Sequence, residues 1–305
     1  MISFAFVPRT HCICGTPLAC GTPLAEQSAE IVRHLPYGEV RFRRCSACGS
    51  WLQAPMLNPA ALAAWCNSPD YQGSENKPGI GYADYARDER QRAIEARHRY
   101  RRDIAPHLPK HARVLEVGCA SGTLLGEIAR HGHSVLGCDL SERFAQSARR
   151  LHNIDAAVAD WLDLEIPEAT LDAILLLGTI SNLPRLDESL ARARRQLRPG
   201  GMLFFNFPAA DSLVARLYGS RMWMFTPSVM QFMTRGGMTT ALDRAGFRIA
   251  SWAIDRQAPG FGKILGHAGL MRLYPLFDRL GLIDAAIPLA LPIPGVYAVR
   301  AVRPN

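Results

Sequence analysis

Two groups of residues combine types and spacings that do chemistry. The first is the run Glu116-Val-Gly118-Cys-Ala120-Ser-Gly122, followed 21 residues after Gly118 by Asp139. Gly118 lets the chain turn sharply and Gly122 permits close approach of backbone and ligand, while the small Ala120 and Ser121 keep the loop low. Free N–H groups at the start of a following helix bind a polar or anionic group. An acidic residue at the offset of Asp139 is placed to accept hydrogen bonds from ribose hydroxyls. The second group is cysteine. Five of the eight cysteines fall before residue 50: Cys12, Cys14, Cys20, Cys45 and Cys48. Cys45-Ser-Ala-Cys48-Gly49 is a knuckle, two thiolates followed by a glycine that allows a tight turn around a metal. Cys14-Gly15 mirrors Cys48-Gly49, and His11 stands three residues before Cys14. The expected ligand set for a tetrahedral Zn2+ is therefore His11, Cys14, Cys45 and Cys48, with Cys12 in reserve. Unmetallated, reduced cysteines are the alternative.

The elements that position these groups follow from periodicity. Residues 1–56 are rich in cysteine and turn formers and read as a small zinc-ribbon-like module. Residues 57–110 read as a helical linker broken at Gln72–Gly81. From Ala112, apolar strands alternate with amphipathic helices, the pattern of a parallel sheet covered by helices. Strands are expected at Arg113–Val117, Ser134–Cys138, Ala156–Ala159, Leu171–Leu177, Met202–Phe207, Phe247–Ala253 and Val296–Val302. Helices are expected at Leu124–His131, Arg143–His152, Leu186–Leu197 and Met230–Ala245. The first motif thus runs from a strand through a glycine loop into a helix, and Asp139 ends the second strand.

The loop is Gly118-x-x-x-Gly122, not the G-x-G-x-x-G of dinucleotide binders. Glu116 would place a negative charge near a pyrophosphate, and it suits the cationic amino and sulfonium groups of S-adenosylmethionine (SAM). Here the sequence resembles class I SAM-dependent methyltransferases, whose first motif is E/D-x-G-x-G-x-G, with Ala120 in place of the middle glycine. Asp160-Trp161 looks like the family's acidic residue and neighbour that hold adenine. Leu171–Leu177, Arg198-Pro-Gly-Gly-Met-Leu-Phe-Phe205 and Arg244-Ala-Gly-Phe247 resemble its later landmarks. The resemblance implies an α/β, Rossmann-like seven-stranded core over 111–305. It also implies that Glu116, Gly118, Ala120, Gly122, Asp139, Leu140, Asp160 and Trp161 bind the cofactor. The cysteine module resembles the zinc-binding head of bacterial small-molecule and sugar methyltransferases.

The pattern departs from the family near the methyl acceptor. Ser181-Asn182-Leu183-Pro184 stands where the family often reads E-H-L-P, and Pro227-Ser228-Val229-Met230 where it reads P-x-H-L. Asn182 and His267 remain as candidates for orienting or deprotonating an acceptor, although a single His is more often structural. A non-catalytic SAM-binding scaffold and an RNA methyltransferase are the alternatives to a small-molecule enzyme. The net charge is +8, from 35 Lys and Arg against 27 Asp and Glu. No run of five like charges marks a nucleic-acid tail, and the resemblance implies a small-molecule acceptor from secondary, sugar or lipid metabolism rather than nucleic acid. With no secretory signal and no stretch of 18 apolar residues, a cytoplasmic location is expected. Oligomeric state is not legible. The segment 257–294 separates two strands that a short hairpin would join. Leu270, Leu273, Tyr274, Phe277 and Leu280 recur there at helical spacing. That face either packs on the core, which is the preferred reading, or covers the acceptor as a lid. Peripheral membrane contact through it is a third use.

Overall fold

The computed structural model of the chain describes residues 4–18, 30–35, 38–68, 71, 89–222, 224–258, 271–282 and 291–305. Thirteen strands are described. β1 (Phe6–Val7), β2 (Glu30–Leu35), β3 (Gly38–Arg44), β4 (Trp51–Gln53) and β5 (Met56–Leu57) precede the central sheet. β6 (Arg113–Val117), β7 (Ser134–Asp139), β8 (Ala156–Val158), β9 (Leu171–Leu176) and β10 (Leu197–Pro208) follow, then β11 (Gln231–Phe232), β12 (Arg248–Gln257) and β13 (Leu291–Val302). The helices are α1 (Pro59–Cys66), α2 (Glu89–Arg99), α3 (Thr123–Arg130), α4 (Glu142–His152), α5 (Leu186–Gln196), α6 (Leu213–Tyr218), α7 (Arg235–Arg244) and α8 (Tyr274–Arg279).

Seven strands form one sheet in the order β12-β13-β10-β9-β6-β7-β8. β6 pairs in parallel with β7 and β9, whereas β13 runs antiparallel to β10 and β12. The central strands read as continuous apolar runs because helices cover both faces. Val114, Leu115, Ala173, Ile174, Leu175, Leu176, Leu203 and Phe205 are accordingly fully buried. Local signals set the helix ends. The Ser141 hydroxyl accepts from Phe144 N as the N-cap of α4, Asn153 closes its other end in the left-handed region, and basic residues fill the last turn. The order of the sheet reverses between β6 and β9, which opens a crevice at the carboxyl ends of these strands.

Two expectations are corrected. The strand expected at Met202–Phe207 begins at Leu197, which pairs with Leu171 before a register shift across the Pro-Gly-Gly turn. The helix expected from Met230 begins at Arg235, because Gln231 and Phe232 pair antiparallel with Leu52 and Trp51, and Thr234 caps α7 by accepting from Gly237 N. The cysteine-rich module therefore borrows its fourth strand from the second half of the chain: its sheet runs β11-β4-β3-β2. Of the apolar face expected in the insertion, Tyr274 and Phe277 are half-buried. α8 spans six residues and buries none, and Leu273, Leu276 and Leu280 are exposed. His267 and Leu270 lie outside the described residues, as does Cys20. No helix among the described residues is long and apolar enough to cross a membrane.

Candidate active site

The glycine loop leaves β6 with three residues at positive φ: Gly118 (71°), Ala120 (47°) and Gly122 (73°). Contacts explain both glycines. A Cβ on Gly118 would lie 2.3 Å from Thr179 Oγ1, and one on Gly122 would lie 2.9 Å from Ala148 Cβ. Ala120 holds a left-handed conformation that costs an L-residue about 1–2 kcal/mol. Its N–H donates to Asp139 Oδ2 at 3.0 Å, which offsets part of that cost. Asp139 Oδ1 accepts from Ser141 N at 2.8 Å. Burial pushes the Asp139 carboxyl above its ordinary value, and these backbone donors only partly oppose it.

Glu116 ends up beneath this loop, 6 % exposed, with no hydrogen-bond partner for Oε2 among the described residues. Burial first, and then the nearby Asp139 charge, push its carboxyl up to about 8. A buried carboxylate oxygen left unmatched is costly unless a donor or cation arrives. The pair of acids therefore suits a ligand with a cationic group at Glu116 and hydroxyls at Asp139.

The remaining cofactor candidates divide. Leu140 and Asp160 line the same cavity, of about 920 Å3. Asp160 Oδ1 caps the short turn Trp161–Asp163 through Leu162 N at 2.9 Å, and Oδ2 lies 3.4 Å from Arg185. Trp161 reaches the cavity wall, but it is 2 % exposed and its indole N–H donates to Gln196 Oε1 at 3.0 Å. Its ring also packs in the core.

The other end of the cavity is walled by Leu183, Met224, Val229, Ile293 and Val296 together with the polar Ser181, Thr226 and Ser228, with Asn182 half-buried at its edge, while Leu62, Cys66 and Tyr71 pack beside Leu140. Sequence reasoning missed the polar groups that hold this end. Arg99 on α2 is 4 % exposed and meets the fully buried Asp255 of β12 through two bonds, at 2.5 and 3.2 Å. Asp255 Oδ2 also accepts from Asn206 Nδ2 at 2.8 Å, and Asn206 Oδ1 accepts from Gly178 N at 2.7 Å. This chain ties α2 to the loop after β9. A second clamp, on the glycine loop rather than on this end, centres on Glu89. Its carboxylate accepts from Thr123 Oγ1 at 2.8 Å, Ser121 Oγ at 3.3 Å and His152 Nε2 at 2.7 Å, and it pairs with Arg92. Burial would raise this carboxyl, but the bonds from His152 and Arg92 outweigh it and hold Glu89 at about 2.

In the amino-terminal module, Cys12, Cys14, Cys45 and Cys48 bring their Sγ atoms within 4.8 Å of one another. Cys12 to Cys48 is 3.5 Å and Cys14 to Cys45 is 3.8 Å. Four thiolates at about 2.3 Å from a tetrahedral Zn2+ stand roughly 3.8 Å apart, so the set fits that ion. The expected His11 is not part of it. That residue is exposed, and its Nδ1 lies 2.9 Å from Thr10 Oγ1. The correction has a local cause. The second knuckle closes with Gly49 N on Cys45 O, while the first is one residue tighter and closes with Gly15 N on Cys12 O. The shorter turn brings Cys12 inward and leaves His11 outside.

Comparison with known proteins agrees with this architecture. Residues 85–251, more than half of the chain, match the family described as "Methyltransferase domain". The chain is 28% identical to the demethylmenaquinone methyltransferase of Tropheryma whipplei over 180 residues, covering 52% of this chain and 73% of that protein. It is 36% identical to the fatty-acid O-methyltransferase of Mycolicibacterium smegmatis over 98 residues, covering 30% of this chain and 36% of that protein. Among solved structures, a SAM-dependent methyltransferase from Archaeoglobus fulgidus superposes with a TM-score of 0.50 at 18% identity, covering 72% of this chain and 98% of that one. The seven-stranded sheet, the glycine loop and the family match together make this chain a member of the SAM-dependent methyltransferases.

Proposed function

We propose that the chain methylates an oxygen of a small molecule with a sizeable apolar part. It holds SAM through Glu116, Gly118, Ala120, Gly122, Asp139, Leu140, Asp160 and the backbone of Trp161. The observation that carries this reading is the asymmetry of the cavity. A buried, unmatched Glu116 oxygen lies beside Asp139 at one end, and Leu183, Met224, Val229, Ile293 and Val296, with the polar Asn182, Thr226 and Ser228 among them, form the other. SAM supplies an activated methyl group. The chain binds the cationic end of the cofactor at Glu116, receives its ribose at Asp139 and its adenine near Asp160, and brings the acceptor in line. Positioning of this kind supplies much of the acceleration of a displacement at carbon. Asn182 is suited to orient an acceptor oxygen without taking its proton. Acceptors that arrive ionised, such as carboxylates and acidic phenols, need only this positioning and no general base. The similarity to the fatty-acid O-methyltransferase supports such an acceptor. In the head, Cys12, Cys14, Cys45 and Cys48 hold a structural Zn2+.

Calorimetry with S-adenosylhomocysteine (SAH) and NAD+ tests the cofactor. SAH binding with no NAD+ binding is expected, and the reverse overturns the reading. Labelled SAM with a panel of fatty acids and phenols tests the acceptor. Elemental analysis of protein made without a His tag tests for one zinc per chain.

A further inference from the structure

Two glutamines are fully buried, Gln53 in the head and Gln231 on β11. A buried amide persists where its donors and acceptor are matched, and each of these bridges two main-chain carbonyls. Gln231 Nε2 donates to Ile180 O at 3.2 Å and Leu183 O at 2.8 Å, the two ends of the turn that carries Asn182. Its Oε1 accepts from Arg9 Nη2 at 2.8 Å, and Arg9 Nη1 donates to Met230 O at 2.8 Å. Met230 N donates to Ser181 O at 2.9 Å. Three of the four carbonyls between Ile180 and Leu183 are thus held by residues 230 and 231. Gln53 repeats the device. Its Nε2 donates to Pro227 O at 3.1 Å and Val229 O at 3.3 Å, beside the cavity-lining Ser228 and Val229. Its Oε1 accepts from Leu57 N at 2.7 Å, and its N–H donates to Met230 O at 2.9 Å. The cofactor loop receives none of these bonds.

We infer that Gln231 is a positioning residue for methyl transfer: it fastens the Asn182 turn to the cysteine head through Arg9, so that the head sets the geometry of the acceptor end alone. The inference rests on the reading of Asn182 as part of the acceptor end. The head is then more than an appendage. It is the fixed support of one cavity wall, while the central sheet supports the other.

The test uses the full-length, metal-loaded protein. Hydrogen exchange by mass spectrometry is followed in peptides covering 178–184, and SAH affinity is measured by calorimetry. The Asn182 side-chain amide signal is followed by NMR and assigned by its loss in Asn182→Asp. In Gln231→Met, exchange at 180–183 should rise by about tenfold or more and the Asn182 signal should broaden or split. SAH affinity and exchange in β6 and β9 should hold. Unchanged exchange and an unchanged Asn182 signal overturn the inference, as does an acceleration spread evenly over the central sheet. Should Gln231→Met fail to fold, Arg9→Met carries the same test from the head side. It should move exchange at 180–183 in the same direction, and no movement overturns the proposal. Failure of the wild type to bind SAH would instead sink the functional reading and leave the mechanical link between head and turn measurable by exchange.

Discussion

The two ends of the cavity are built in opposite ways. The cofactor end comes largely from one continuous run, β6 through the glycine loop, α3, β7 and α4 to the turn after β8, with its ligand groups between Glu116 and Asp160. The acceptor end is gathered from the loop after β9, β10, the segment before β11, and β13. Backbone conformation shapes the first end, as the positive φ values at Gly118, Ala120 and Gly122 show, and one carboxylate, Glu89, clamps it through Ser121 and Thr123. Buried polar side chains acting over long sequence distances fix the second. The first end thus depends mainly on what lies in the loop, and the second on what lies far from it.

The sharpest way to break this contrast is at Asp255. Replacing it with Ala leaves Arg99 buried without its main partner, a change that costs about 3–5 kcal/mol. Thermal denaturation should show the loss, and SAH affinity of the folded fraction should change little. The double variant Arg99→Met with Asp255→Leu should recover most of the stability, because an apolar pair can replace a buried ion pair of similar volume. A single variant as stable as the wild type would mean that the acceptor end is not held this way.

Next in size is Asp139→Ala, which reverses the pattern. It should weaken SAH binding by about 1.5–3 kcal/mol, the worth of hydrogen bonds to a charged group, and leave exchange at 180–183 unaltered. Calorimetry and exchange on one preparation decide it.

A third effect is a pH dependence confined to the cofactor end. Glu116 titrates at about 8 in the ligand-free protein because of burial and then Asp139. A cationic ligand binds its ionised form. SAM affinity should therefore rise with pH up to about 8, by at most about tenfold per unit, and level off above it. Binding at pH 7 should release a proton, seen as a dependence of the calorimetric heat on buffer ionisation. Stability of the ligand-free protein has the opposite sign. The folded state retains a proton that the unfolded chain has lost above its ordinary carboxyl value, so this contribution falls as pH rises toward 8. Glu116→Gln should remove both dependences, and their persistence would assign them to another group.

The smallest effect on the cavity is expected from the head. Cys45→Ser should abolish metal content and raise exchange at 180–183 several-fold through the Gln231 connection, with SAH affinity preserved. Retention of a full metal equivalent would show that Cys45 is not a ligand.

These contrasts also explain what the sequence disclosed. The glycine loop, Asp139 and the strand–helix alternation were legible because they are local, and a positive φ or a strand end leaves its mark within a few residues. His11 was misplaced because spacing was counted without knowing which carbonyl closes the first knuckle. The start of α7 was misplaced because Gln231 and Phe232 satisfy a partner strand about 180 residues away. The Arg99–Asp255–Asn206 chain was invisible for the same reason. Its members lie 156 and 49 residues apart, and each is an ordinary residue in an ordinary element. Asn182 was singled out only by what was absent around it, and its supporting residues carry no sequence signature.

One feature of the sheet bears on how the molecule comes to exist. β13 lies between β10 and β12, although it follows both in the chain. Among the described residues, β12 joins the sheet only through β13. During synthesis, β12 therefore emerges with no strand to receive it, and the open side of β10 stays unsatisfied until residues 291–302 arrive. An unpaired edge of this kind invites pairing with other chains. The late strand acts as a seal, and Asp255 on β12 cannot be presented to Arg99 in its final register until that seal is made. Completion of the acceptor end is thus among the last events of folding, whereas the loop between β6 and β7 can form from contiguous chain much earlier.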